Sequence, residues 1–469
     1  AGATGLGAAR AARNGGRRVA LVDGARPGGD CTHYGCVPSK TLIETARLVA
    51  GARAGSDRGL DATVDVDFAA VMKHVHAVIA DIEQDESPAL LARQGIDLVP
   101  AYARFVAPDT IEADGRRISA ERFVIATGGR AAIPPVDGLT ETPYLDNKSV
   151  FSLTEQPEHL LILGGGPIGC ELAQAYRRLG SRVTIVQSAG RLSDREEPEA
   201  SRILREVFER EGIDVRLGAK AVKVSAGPTV HLSDGTTVGG SHLLVATGRQ
   251  PVTDGLDLQV PGVTLDERGR VVTDAYLQTS VEHIYAAGDV TSRLQFTHVG
   301  DDQGRLAVGN AFAKPLLPGL LGGRRKWDER VIPKVTYTEP EIGSVGLTEA
   351  QAFAEYGEKA LVAFIPMSAM DRPRCAGETD GFVKLIAAPR PILRAKPLMR
   401  LVGMTAMAAV GGELVGQGAL AMSANTLVAR LALTEAAYPT WSMAVRFAAA
   451  QFFGTYGGRT ARAARGDRG

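Results

Sequence analysis

Two cysteines with four residues between them, Cys31 and Cys36, stand in the run GGDCTHYGCVPSK, and the helix-forming stretch TLIETARLVA follows at once. Thiols this close can close a small ring, and Cys36 falls where a helix N-terminus would stabilise a thiolate. Beside a nucleotide-binding unit, such a pair reads as a dithiol/disulfide that exchanges electrons. Alone, the spacing more often marks two inert cysteines, so its meaning depends on what surrounds it. Lys40 lies one turn beyond Cys36 on the same side of the expected helix. Its cation could stabilise a thiolate or an anionic reduced cofactor.

Two stretches could hold the cofactors that such a centre needs. AGATGLGAARAARNGGRRVALVD has the turn and helix of a dinucleotide-binding unit without the strand that should come first. Gly2 and Gly5 fit the last two glycines of G-x-G-x-x-G. RRVALVD reads as the next strand and ends in Asp23, an acid placed to accept hydrogen bonds from an adenosine ribose. A parallel sheet does not readily lose a buried central strand, so the sequence is expected to be truncated at its start. The second unit is complete: LLILGGGPIGCELAQAYRRLGSRVTIVQ gives strand, Gly164, Gly166 and Gly169, helix and strand. The acid that holds the ribose 2′-OH of NAD is replaced by Gln187, with Arg191 a little beyond. The missing carboxylate removes a barrier to a 2′-phosphate, and the reading leans from NADH to NADPH. Glu171, just past the glycines, can face the cofactor and pair with Lys40, whereas Cys170 beside it reads as packing.

Length and composition set the frame. A chain of 469 residues is expected to fold as about two to four domains. It is 45% hydrophobic and 23% charged with zero formal net charge, a balance without a field that would attract nucleic acid. Four cysteines exclude a secreted disulfide scaffold, and without C-x2-C spacing no metal site is expected. No apolar run reaches the ~18 residues of a membrane span and no signal peptide is visible. The expectation is a cytoplasmic enzyme without integral membrane association.

Further along, residues 65–95 read as polar-amphipathic helix before a series of short strands. VIATGG is an apolar strand ending in glycines, where Thr127 and Gly128 let the backbone approach a cofactor. SHLLVATGRQP repeats that ending at Gly248, and TSVEHIYAAGDV ends at Asp289, an acid that can accept hydrogen bonds from polyol hydroxyls. Thr297 is placed to cap a helix starting near His298, whose N-terminus could stabilise negative charge on a reduced flavin. From about Trp327 the pattern turns to mixed α/β and closes with apolar helical content suited to an interface. Residues 389–400 carry four positive charges and no acids; they suit an anionic membrane surface or, given their prolines, a solvated loop. RTARAARGDRG reads as a disordered basic tail.

The motifs GG-x-C-x4-C-V-P-S-K, LILGGGPIGCE, VATGRQP, YAAGDV and VTYTEPEIGSVGLTE, in this order over nearly the whole chain, resemble the class I pyridine nucleotide–disulfide oxidoreductases. Glutathione reductase, dihydrolipoyl dehydrogenase and mercuric reductase are members. The resemblance implies an α/β chain of two Rossmann-like three-layer (ββα-containing) dinucleotide-binding domains and a C-terminal α+β dimerisation domain. FAD binding would occupy residues 1–151, NAD(P) binding 152–249 and a central domain completing the FAD site 250–326. Interface residues 327–458 and the tail 459–469 follow. It implies a homodimeric enzyme that passes electrons from NAD(P)H through FAD to a Cys31–Cys36 disulfide and on to a small-molecule or metal-ion acceptor. By resemblance, Cys31 is the exchange thiol, Cys36 the flavin-side thiol, and Lys40 with Glu171 an ion pair near flavin N5. Gly2, Gly5, Asp23, Gly29, Lys40, Thr127, Gly128, Asp289 and Thr297 would serve FAD. Gly164, Gly166, Gly169, Gln187, Arg191 and Gly248 would serve NAD(P).

One departure bears on the acceptor. Reductases of glutathione and lipoamide carry His-Pro-Thr-x-x-Glu near the C-terminus, a histidine acid/base oriented by the glutamate. Here the run is Tyr438-Pro439-Thr440-Trp441-Ser442-Met443, and no histidine follows His298. A phenol titrating around 10 is a poor base near neutrality, so efficient turnover of glutathione or dihydrolipoamide is not expected. Mercuric reductase has a tyrosine at this place, and a soft metal ion held by two thiolates needs no proton donor to a leaving disulfide. That family, however, ends in a vicinal cysteine pair and this chain in RGDRG. The acceptor stays open among an undetermined disulfide-type substrate, Hg(II), and a quinone or dye reduced directly from the flavin.

Overall fold

The computed structural model describes residues 1–291, 294–313, 323–389 and 398–466. The chain divides into two compact units, Ala1–Pro135 with Pro143–Gln156 and Leu244–Trp327, and Val136–Thr142 with Pro157–Leu243 and Asp328–Gly469.

In the first unit, the small-residue run after Gly2 forms the helix Ala3–Asn14. Strand Val19–Val22 pairs in parallel with Ile96–Val99, and Leu6, Ala9, Leu21, Leu91 and Ile96 pack into one cluster. The helix Thr297–Ala311 crosses Ala3–Asn14 within the early turns of both. A Cβ on Gly304 would stand 2.3 Å from the Thr4 carbonyl oxygen, so this approach of backbone to backbone requires glycine. Strand Phe123–Ile125 pairs in parallel with Ile284–Ala286 and delivers Thr127 and Asp289 to neighbouring strand ends. Gly129–Ala131 runs antiparallel to Arg249–Pro251.

The stretch expected as one helix over residues 65–95 is interrupted. Asp67 caps the helix Phe68–Glu83 by accepting from the Ala70 N–H. Ser87 then starts a separate helix, Pro88–Arg93, because proline at the first helical position lacks the N–H that a continuous helix would use.

In the second unit, strands His159–Leu163, Arg182–Gln187 and Asp214–Leu217 pair in parallel. The helix Pro167–Leu179 follows the glycine turn. A Cβ on Gly169 would lie 1.9 Å from the Gly164 carbonyl oxygen, so the turn closes only with glycine there. The C-terminal part is a six-stranded sheet ordered Lys334–Thr336, Glu341–Gly346, Met399–Ala408, Phe382–Pro389, Leu361–Pro366 and Arg462–Ala463. Its apolar face packs against Leu414, Val415, Ala444, Val445 and Ala448.

The last strand corrects the expectation of a disordered tail from residue 459. Arg462 and Ala463 pair with Val362 and Leu361, Ala464 is buried, and Arg462 donates to both carboxylate oxygens of Glu349. A buried acid to neutralise overrides the polar composition. Residues 467–469 lie outside the described residues, as do residues 390–397 of the basic segment. Among the described residues no helix is long and apolar enough to cross a membrane.

Candidate redox and nucleotide sites

Cys31 sits on the short helix Gly29–Tyr34, and Cys36 is the first residue of the long helix Cys36–Arg53. Neither is joined in a disulfide; Cys31 is half-buried and Cys36 exposed. A hydrogen bond to Cys36, then burial, then the charge of Cys36 push the Cys31 thiol above its ordinary range. The Cys36 sulfur is also 3.2 Å from the Thr297 hydroxyl. Thr297 therefore does not cap its own helix: the capping position is Phe296, with no side-chain cap, and the hydroxyl turns to the sulfur instead. Two helix N-termini thus meet at one thiol, a setting that favours negative charge there. Lys40 is half-buried, one turn along from Cys36.

The positions expected to serve FAD fall in the same unit. Gly2 and Gly29 are in direct backbone approach, because a Cβ on Gly29 would stand 2.7 Å from the Gly2 Cα. This joins the start of the Ala3–Asn14 helix to the redox segment. Gly5 is buried within that helix. Asp23 follows the strand and accepts from the Ala25 N–H at 2.8 Å. The Thr127 hydroxyl donates to the Val252 carbonyl at 2.6 Å, and Gly128 has a positive φ of 73°. Asp289 is partnered by Arg249, whose Nε lies 3.2 Å from Asp289 Oδ2. The same guanidinium donates to Asp30 Oδ2 at 2.6 Å and to the Gly129 carbonyl at 2.7 Å. Burial pushes the Asp289 carboxyl up while Arg249 pulls it down.

Sequence reasoning missed Arg249 and Asp30. An acid directly before the first redox cysteine, and an arginine directly after the ATG repeat, were the available signals. The backbone cradle at Gly2 and Gly29, together with the helix N-termini at residues 3 and 297, suits an anionic dinucleotide. These residues fit FAD.

On the nucleotide side of the second unit, Gly164 takes a φ of 111° and Gly166 precedes the helix as its capping residue. Gln187 turns back on the glycine turn, its Oε1 accepting from the Gly165 N–H at 2.9 Å. Arg191 donates to the Asp194 carbonyl at 2.7 Å. Glu171 is buried and accepts from the Tyr337 N–H at 2.8 Å. Cys170 is fully buried, its thiol pushed up to about 12 by burial, which fits packing and not exchange chemistry. Gly248, read from sequence as a nucleotide residue, belongs to the first unit, where its carbonyl accepts from the Ala132 N–H at 2.9 Å. Tyr438 is exposed in the C-terminal part of the second unit.

This fold and site meet a defined class. Residues 1–304 match the pyridine nucleotide-disulphide oxidoreductase family, and residues 332–449 match the dimerisation domain of the same family. The chain belongs to the pyridine nucleotide-disulfide oxidoreductases, FAD-dependent enzymes that use a pyridine nucleotide. It is 38% identical to mercuric reductase from Streptomyces lividans over 96% of this chain and 94% of that one. Identity to dihydrolipoyl dehydrogenase from Thermus scotoductus is 32%, over 91% of this chain and 90% of that one. Among solved structures it is similar to the HOCl-induced flavoprotein disulfide reductase RclA from Escherichia coli. There the TM-score is 0.81 at 29% identity, over 95% of this chain and 96% of that one. LpdA from Mycobacterium tuberculosis gives a TM-score of 0.85 at 28% identity, over 96% of this chain and 98% of that one.

Proposed function

We propose that this enzyme takes electrons from NADPH and delivers them, through Cys31 and Cys36, to a soft metal ion of the Hg(II) type. The observation that carries the reading is the Cys36 sulfur, exposed at the start of its helix and 3.2 Å from the Thr297 hydroxyl, beside a Cys31 thiol that it raises by hydrogen bond. A dithiol of this kind can grip a thiophilic cation from both sides without a proton donor for a leaving thiolate. The run from Tyr438 to Met443, which lacks the histidine and the glutamate of the disulfide reductases, removes that donor. Similarity to mercuric reductases supports the same acceptor, and RclA is known as a Cu(II) complex.

The balance is simple: NADPH and Hg(II) give NADP⁺, a proton and Hg(0), two electrons crossing in all. Bound FAD supplies the two-electron relay between nicotinamide and dithiol. The chain's own residues bind and tune. Gly2, Gly5, Asp23, Gly29, Thr127, Gly128 and Asp289 would hold FAD, and Lys40, one turn beyond Cys36, would lend its cation to the flavin side. Thr297 steadies negative charge on Cys36, and Cys31 faces the acceptor. Gly164, Gly166, Gly169, Gln187 and Arg191 take the nucleotide. No carboxylate stands at Gln187 to repel a 2′-phosphate, which favours NADPH over NADH. The boundaries proposed for the domains are those given from sequence, with Arg462 and Ala463 joining the C-terminal sheet. A reducing compartment such as the cytoplasm keeps such thiols available.

Anaerobic turnover with NADPH, offering Hg(II), lipoamide, glutathione disulfide and a quinone in parallel, tests the reading. Hg(II)-dependent NADPH oxidation above the other three supports it, and robust lipoamide turnover refutes it.

A further inference from the structure

Tyr438 has 70% of its surface exposed, yet its hydroxyl is directed. It donates to Asp371 Oδ2 at 3.1 Å, a residue 67 positions away in the chain. Asp371 opens the short helix Asp371–Ala376, and its Oδ1 lies 4.0 Å from the Arg374 guanidinium. Arg374 in turn donates from Nε to the Ser368 carbonyl at 2.6 Å, so the carboxylate is held from its far side. On the neighbouring turn, Glu435 is paired with Arg446.

We infer that Asp371 is the positioning residue of Tyr438, fixing the phenol hydroxyl so that its oxygen lone pairs, not its proton, face the acceptor. The inference rests on the proposed metal-ion acceptor, with Tyr438, which stands at the place of the disulfide reductases' histidine, taken as a contact of that acceptor. A free exposed phenol rotates its O–H at will and can donate to an incoming group. Once the proton is committed to a carboxylate, what remains outward is an acceptor oxygen, made more electron-rich by the charge behind it. Such an oxygen suits a cation or a thiol proton and is ill suited to protonate a departing thiolate. The pair therefore selects for a metal ion and against a disulfide. Asp371, by hydrogen bond and then by charge, holds the Tyr438 phenol above its ordinary range, with Cys375 acting in the same direction. The phenol stays neutral to higher pH than a free tyrosine.

The test uses the full-length holoenzyme. Tyrosinate absorbance is titrated in the parent and in Tyr438→Phe, and the difference isolates the one phenol; the same subtraction is made in the Asp371→Asn background. The midpoint is expected above ~10 in the parent and closer to it with Asp371→Asn; equal midpoints overturn the inference, whatever the acceptor. In Hg(II) kinetics, Asp371→Asn is expected to raise KM about ten-fold, the scale of one lost hydrogen bond. Reduction of the enzyme by NADPH should be unchanged. The substitution should add nothing in the Tyr438→Phe background, and Asp371→Glu should restore part of the loss. Independent, additive effects of the two substitutions overturn the inference. Absence of Hg(II) turnover in the parent refutes the proposed acceptor instead, and the titration still decides the pair.

Discussion

The Cys36 sulfur lies 3.2 Å from the Thr297 hydroxyl, and each of the two residues is the first of its helix. A hydroxyl can donate to a thiolate, and two helix N-termini add partial positive charge at the same point. Thr297→Val keeps the shape and deletes the donor. In the two-electron-reduced enzyme, the long-wavelength absorbance of a thiolate against flavin is expected to weaken near neutrality. An unchanged spectrum would remove Thr297 from the redox centre.

The thiol pair makes a prediction about pH. The hydrogen bond to Cys36 is the largest cause raising the Cys31 thiol, ahead of burial. A raised thiol stays protonated to higher pH and alkylates slowly until then. Cys36→Ala removes the largest cause, so iodoacetamide should modify reduced Cys31 at lower pH in the variant than in the parent. Mass-spectrometric rates across a pH series measure this, and a profile shifted to higher pH would contradict the pairing.

What the sequence made legible was local. The glycine turns, the C-x4-C run and the Asp289 strand end each lie within one turn of backbone, where residue type dictates conformation. Contacts between distant residues were not legible. Arg249 and Asp30 are 219 residues apart, and no periodicity announces that one guanidinium would serve Asp30 and Asp289 together. Thr297 fitted a capping pattern because a threonine before a helix usually caps it. Only the position of Cys36, 261 residues earlier, diverts the hydroxyl. The tail misled for the same reason: Arg462 reads as solvated until Glu349 is placed beside it.

The crossing of Ala3–Asn14 with Thr297–Ala311 tolerates no side chain at Gly304. A methyl group there would stand 2.3 Å from the Thr4 carbonyl and 3.1 Å from the Ala8 nitrogen, both backbone atoms that cannot swing aside. Gly304→Ala must part the helices, at a cost of about 1–3 kcal/mol typical of overpacking. The N-termini that suit the dinucleotide move with them. Purified variant should show a lower ratio of flavin to protein absorbance and a lower melting temperature. Full flavin content would mean that the crossing does not shape the cradle.

Lys384 supplies the strongest stability prediction. Its ammonium and the Glu197 carboxylate are each about 1% exposed and 2.9 Å apart, with Glu199 at 2.8 Å and Glu349 at 3.0 Å. Among the described residues, Lys384→Met leaves three carboxylates facing the Arg462 guanidinium, which pairs with Glu349. Removing one partner of a buried ion pair typically costs about 3–5 kcal/mol, and urea unfolding at neutral pH should show a loss of that order. The pH dependence has a defined sign. Burial already raises the Glu197 carboxyl and Lys384 opposes it, so without Lys384 the folded-state value rises further above the unfolded one. A carboxyl raised in the folded state stabilises while protonated and loses that contribution as pH rises through its folded value. The deficit of Lys384→Met should therefore shrink as pH falls and be largest at neutral pH and above. Adding Glu197→Gln to Lys384→Met should recover part of the loss at neutral pH, because the buried charge left behind, and not the missing methylenes, accounts for most of it.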